Sequence, residues 1–173
     1  MKIPGMKKMN RLPAAARAVA LPPGEKALAG AVTEDGQAVI GTRDALHLAL
    51  AQGTTRLGWE EIERADWDAE TGLLTVVGVG TWGEQKPHFE LALPEPGQLL
   101  ELVRERVTAS VVLQRHFRIT DTLGGKVIAR RAPRGDEPIH WFHEFDAGVD
   151  PDDPDVRRLA AQALARAREE TGF

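Results

Sequence analysis

Arg56-Leu57-Gly58-Trp59-Glu60-Glu61-Ile62-Glu63-Arg64-Ala65-Asp66-Trp67-Asp68 is the stretch on which the fold turns, because it sets two of the four tryptophans eight residues apart in an acidic surround. A buried indole covers on the order of 150–250 Å², so the core is expected to gather around these two rings. Run straight as a strand, the segment puts Leu57, Trp59, Ala65 and Trp67 on one face and turns Ile62 away. A bend or bulge at Glu60-Glu61 instead returns Ile62 to the side of Trp59. Both versions describe scaffold.

Upstream of this stretch the apolar residues recur with period two. Residues 26–33 and 38–42 read as strands joined by Glu34-Asp35-Gly36-Gln37, which carries the Asp-Gly hairpin signal. Residues 45–51 alternate most cleanly, with Leu46, Leu48 and Leu50 on one face and Ala45, His47 and Ala49 on the other. Downstream, Ala69-Glu70-Thr71-Gly72 is a turn, residues 73–79 a buried strand, and residues 87–93 a strand with Phe89, Leu91 and Leu93 inward. After Pro94-Glu95-Pro96 the period changes: Leu99, Leu102, Val103, Arg106 and Val107 mark one helix face. Residues 25–109 therefore read as about seven short strands closed by an amphipathic helix.

Strands in this order with one closing helix resemble the pleckstrin-homology-like (PH-like) β-roll. Leu-Pro-Pro-Gly-Glu-Lys at 21–26, Gly-Thr-Arg-Asp-Ala-Leu at 41–46 and Trp-Glu-Glu-Ile…Trp-Asp at 59–68 are similar to uncharacterised bacterial proteins with a PH-like domain, a likeness over about half the chain. Eukaryotic members often bind phosphoinositides through basic residues of the first hairpin loop. Here that loop is Glu34-Asp35-Gly36-Gln37, acidic where a phosphate needs donors and positive charge.

The rest of the chain reads as a second unit over 110–173. Alternation resumes with Val111, Leu113, Phe117 and Ile119 opposite Val112, Gln114, His116 and Arg118, and Ser110 is placed in the same strand. Gly124-Gly125 reads as the turn, residues 126–131 and 139–145 as two more strands, and Asp153-Pro154 as the cap and first turn of a final helix. The fold class is thus α+β, mostly β: a PH-like roll at 25–109, then a β-meander plus C-terminal helix packed on it as one body. Residues 1–24, with five bases and no acids among several prolines, read as a flexible basic arm.

Composition narrows the function without naming it. The 173 residues carry no cysteine, which removes disulfides, thiolate metal sites and cysteine nucleophiles. No apolar run approaches the ~20 residues of a membrane span, and Arg11, Pro13 and Arg17 interrupt any signal-peptide pattern. The expectation is a retained, cytoplasmic protein. The net charge of −4 conceals blocks of +5 (1–24), −8 (25–109), +5 (110–135) and −6 (136–173), which bear on docking.

Few residues suggest chemistry. His140-Trp141-Phe142-His143-Glu144 lacks the helical His-Glu-x-x-His spacing; on a strand the two histidines face opposite sides, and His143 joins the apolar face as a core histidine. The aspartates at 146–155 lack the spacing of a calcium loop. His47, His88 and His116 fall on polar strand faces and read as solvated. Arg115 and Arg118, with Lys126, Arg130, Arg131 and Arg134 on the next segment, suggest a positive ridge if the hairpin closes at Gly124-Gly125, with internal charge balance as the plainer reading, and Trp82 is a loop anchor candidate. The acidic total and the lack of interleaved aromatics argue against nucleic acid.

The resulting expectation is a non-enzymatic interaction or scaffold module. It binds a protein partner through a sheet edge, the Arg ridge or the Trp82 loop, and no catalytic residue, metal or cofactor is assigned. The first alternative is peripheral association with an anionic membrane through the basic arm and ridge. The second is a small enzyme using His140 or His143 as acid–base.

Overall fold

The computed structural model describes residues 11–80 and 85–172, so the expectation for Trp82 lies outside the described residues. The tryptophan stretch forms a corner. β4 (Gly53–Gly58) ends in a 3-10 turn, Trp59–Glu61, and β5 (Ile62–Asp68) begins a second sheet. Gly58 N–H donates to Glu61 Oε2 at 2.7 Å and the Trp59 indole N–H to Thr42 O at 3.2 Å, which fixes the turn. Of the two versions open from the sequence, the bend is the one realised: Trp59 and Ile62 are fully buried in one cluster.

The first sheet runs β1-β2-β3-β4, with β1 (Ala29–Val32), β2 (Ala38–Gly41) and β3 (Ala45–Leu50), all antiparallel. The second runs β5-β6-β7, with β6 (Leu73–Gly78) and β7 (His88–Ala92). Their inner faces meet over Leu46, Leu48, Trp59, Ile62, Leu74, Val76, Leu91 and Leu93, and α2 (Leu99–Ser110) adds Leu99 and Val103 at helical spacing. Each such aliphatic side chain stabilises the fold by about 1.5–3 kcal/mol through burial. Ser110, expected in a strand, is instead the last helical residue, and its hydroxyl donates to Val107 O at 2.7 Å.

From residue 11 onward, the segment expected to be a flexible arm covers the outer face of the first sheet. α1 (Ala14–Arg17) seats Ala16 on β1 and β2, and Ala38 and Ile40 pack against Ala15, Val19, Leu21 and Ala27. Arg11 and Arg17 remain exposed, so the charge points outward while Ala16 buries. Covering this face changes the fate of His47, which pairs with Ile40 across β2 and β3 and is 1% exposed rather than solvated.

The third sheet has order β10-β9-β8, with β8 (Val111–Arg118), β9 (Gly124–Arg130) and β10 (His140–Phe145). The expected turn at Gly124-Gly125 is wrong. The hairpin closes at residues 120–123, where Thr120 Oγ1 accepts from Thr122 N–H and Leu123 N–H at 3.4 and 3.0 Å, and Arg118 pairs with Gly124. Gly125 sits in the strand because Phe117 crosses it: a Cβ there would lie 2.8 Å from the ring. α3 (Pro154–Thr171) starts where the sequence placed it, with Asp153 Oδ1 accepting from Asp155 N–H and Val156 N–H. No helix among the described residues is long and apolar enough to cross a membrane.

Candidate functional site

Period two along β10 sends alternate residues to opposite faces of the third sheet, and both faces are occupied. On one, Trp141 lies under the Arg168 guanidinium of α3 and the His143 Nε2–H donates to Ala160 O at 2.9 Å. His143 also stacks on Phe145 and meets Phe117 edge-on. Burial holds its pKa below the usual imidazole value, against the opposing pull of the Ala160 carbonyl. His143 lies on the apolar face as expected and is hydrogen-bonded, but it is half-buried and lines a cavity instead of sitting in the core.

The other face, with His140 and Phe142, meets the corner and α2. Arg130 is the chief contact. It is 4% exposed and lies over the Phe142 ring; Nη1 donates to Val107 O and Ser110 Oγ at 2.8 and 2.6 Å, and Nη2 donates to Glu63 O at 2.7 Å. Glu63 presents that carbonyl because it is the extra residue of a bulge in β5, between Ile62 paired with Gly78 and Arg64 paired with Val77. Burial lowers the Arg130 pKa, opposed by Glu63 and Glu144, and its Nε has no hydrogen-bond partner.

The expected Arg ridge is therefore not formed. Arg118 and Arg130 lie at opposite ends of the β8–β9 hairpin, because the turn falls earlier than the two glycines suggested. Arg115 reaches Glu170 on α3 at 3.4 Å, on the face opposite Arg118, and Arg131 continues from β9 with its N–H on Ser110 O. Arg118 remains exposed.

Two further polar clusters went unnoticed in the sequence. In the first, Glu25 follows the segment covering the first sheet and lands on the outer side of β3 and β4. Its Oε2 accepts from Thr42 Oγ1 at 2.6 Å and His47 Nε2–H at 2.7 Å, and its Oε1 accepts from Arg56 Nε at 2.9 Å. Burial by itself would raise the Glu25 pKa, but the donors Thr42, His47 and Arg56, with the Arg56 charge, hold it at about 2. Nearby, Arg134 grips Asp44 with two parallel bonds of 3.1 and 2.7 Å, tying the β9–β10 loop to the β2–β3 turn.

The second cluster is at the corner. Glu60, from the 3-10 turn, stands with Glu137 of the β9–β10 loop and His140 of β10, their ligand atoms all within 4.8 Å of one another. Glu60 is 6% exposed and its Oε2 has no hydrogen-bond partner. Gly58 gives it room: a Cβ there would lie 2.4 Å from Glu60 Oε1. Burial raises the Glu60 pKa; its own backbone N–H lowers it, Glu61 and Glu137 raise it, and His140 lowers it. Among the described residues this is the group of carboxylates and imidazole close enough to hold a metal, and His140 is its one member weighed for chemistry in the sequence.

Two surfaces lie outside these clusters. A cavity of about 590 Å³ lies between β10, the loop that follows it, the middle of α3 and Gly80 and Lys86, with Trp141, His143, Phe145, Val149 and Leu164 in its wall. β8 is an outer strand of the third sheet, with Gln114, Arg115, His116 and Arg118 exposed and Val112 39% exposed at a bulge. No protein-family model, curated protein or solved structure matches the chain, so its sites stand on their own geometry.

Proposed function

We propose that the chain is a PH-like interaction module that takes up an extended segment of a protein partner along β8 and carries out no reaction of its own. The observation that carries this reading is that β8 is an outer strand with no strand on its far side among the described residues. From Leu113 to Arg118 its pairing with β9 is unbroken, so the opposite backbone edge offers a row of donors and acceptors. The PH-like part of the reading is supported by element order: four antiparallel strands, three more, then one helix over both sheets.

Charge selects the partner's chemistry. Arg118 is exposed, and the Arg115 pair with Glu170 is solvent-exposed and therefore weak. An acidic extended segment fits this edge. The membrane alternative is less well supported, because Arg130 is buried against Glu63 and Val107 instead of extending a basic ridge.

The test has two steps. The untagged chain, coupled to a resin, captures partners from its own cells, and the double variant Val112→Glu, Arg118→Glu is expected to lose the specific partner. Hydrogen exchange on the purified complex is expected to slow at residues 111–118. Slowing confined to the cavity by β10, or capture unchanged by the double variant, would overturn the reading, and capture of anionic vesicles alone would move membrane association ahead of it.

A further inference from the structure

We propose that Glu60, Glu137 and His140 form a binding site for a divalent transition-metal ion of the zinc type, and that the ion clamps β10 and its preceding loop onto the corner at Trp59–Glu61. The three ligand atoms already lie within 4.8 Å of one another. A tetrahedral ion with bonds of 2.0–2.2 Å needs its donors about 3.3 Å apart. Glu137 and His140 are exposed and free to close that gap, whereas Glu60 is held in the buried turn.

The independent sign of a ligand is Glu60 Oε2. A carboxylate oxygen on a residue 6% exposed normally accepts a hydrogen bond, and this one accepts none. A cation supplies the missing partner and offsets the repulsion between Glu60 and Glu137 at once. Two carboxylates and one imidazole suit borderline ions such as Zn²⁺ better than Ca²⁺ or Mg²⁺, which prefer all-oxygen shells, and water completes the coordination.

Position gives the ion its consequence. Glu60 belongs to the link between the first two sheets, and the other two ligands belong to the third sheet and its loop. The Arg134–Asp44 pair anchors the same loop at a second point. Ion binding to the native chain alone stabilises it by mass action and fixes this seam.

The experiment titrates the untagged, chelator-treated full chain with Zn²⁺ alone by calorimetry and follows thermal unfolding. One ion per chain is expected, with a rise in Tm, and Glu137→Gln and His140→Ala are each expected to weaken binding by at least about tenfold. Both positions are exposed, so both variants should stay folded without metal, Glu137→Gln unfolding no earlier than the wild type because it relieves the repulsion on Glu60; His116→Ala should bind Zn²⁺ as the wild type does. X-ray absorption on the loaded chain should report one imidazole with oxygen donors. Absence of Zn²⁺ binding, wild-type affinity in Glu137→Gln and His140→Ala, loss of binding in His116→Ala, or preference for Ca²⁺ would each overturn the site. A water on Glu60 Oε2 would satisfy the oxygen without any of these metal-linked changes.

Discussion

Glu25 and Glu60 are both carboxylates drawn out of water, Glu60 buried as a whole residue and Glu25 half-buried with 7% of its side chain exposed, yet burial has opposite outcomes for them. Glu25 accepts three hydrogen bonds from Thr42, His47 and Arg56 and stays ionised down to about pH 2. Glu60 has an oxygen with no partner, and its pKa is raised. Desolvation pushes both the same way; the completeness of the donor set decides which way each ends. Glu25 therefore ties covering segment to sheet, whereas Glu60 is poised for a proton or a cation.

The largest expected effect is Glu25→Gln, which removes the ionised acceptor shared by Thr42, His47 and Arg56 and should cost about 3 kcal/mol in urea unfolding at pH 7. A loss below about 0.5 kcal/mol would mean that the three donors do not stabilise the carboxylate. Next is acid titration of the wild type. The folded pKa of Glu25 lies below its ordinary 4.5, so its contribution is complete above pH 4.5 and is lost as pH falls toward about 2. That loss should be on the order of 2 kcal/mol in the wild type and absent in Glu25→Gln.

Glu60→Gln should do the reverse. With chelator present, it should raise stability by about 1 kcal/mol at pH 8, because no buried charge is left short of a partner. A raised carboxylate pKa favours the fold at low pH, so the advantage of the variant should shrink as pH falls toward 4.5. Destabilisation at pH 8 would place an unseen donor on Glu60 and erase the contrast. The smallest effect concerns His143. Its lowered pKa means that stability present above pH 6.5 declines as pH drops below it, and His143→Gln, which can still donate to Ala160 O, should flatten that slope in urea midpoints between pH 7.5 and 5.

Much of the fold was legible because its signals are local. Leu46, Leu48 and Leu50 show a strand and its core-facing side by alternation alone, and Asp153-Pro154 shows a helix start by capping chemistry. The hairpin at 120–123 was misread because two glycines outweigh a threonine in turn statistics, while Phe117 needed those glycines inside the strand. That one shift of register separated Arg118 from Arg130 and dissolved the ridge. His47 was misread because its alternation correctly placed it opposite the leucines but could not tell that residues 12–27 cover that face.

The amino-acid sequence by itself determined where strands and helices form and which side of each is apolar, since period and caps act over a few residues. Only the tertiary structure decided which polar side chains are buried and with whom. Glu60 and His140 are 80 residues apart in the chain, and Glu25 and Arg56 31 apart, so their meetings depend on how sheets and the covering segment stack. Loss of solvent on a second face and the geometry of distant donors are properties of packing, and they set whether a carboxylate is held as an anion or left open to a ligand.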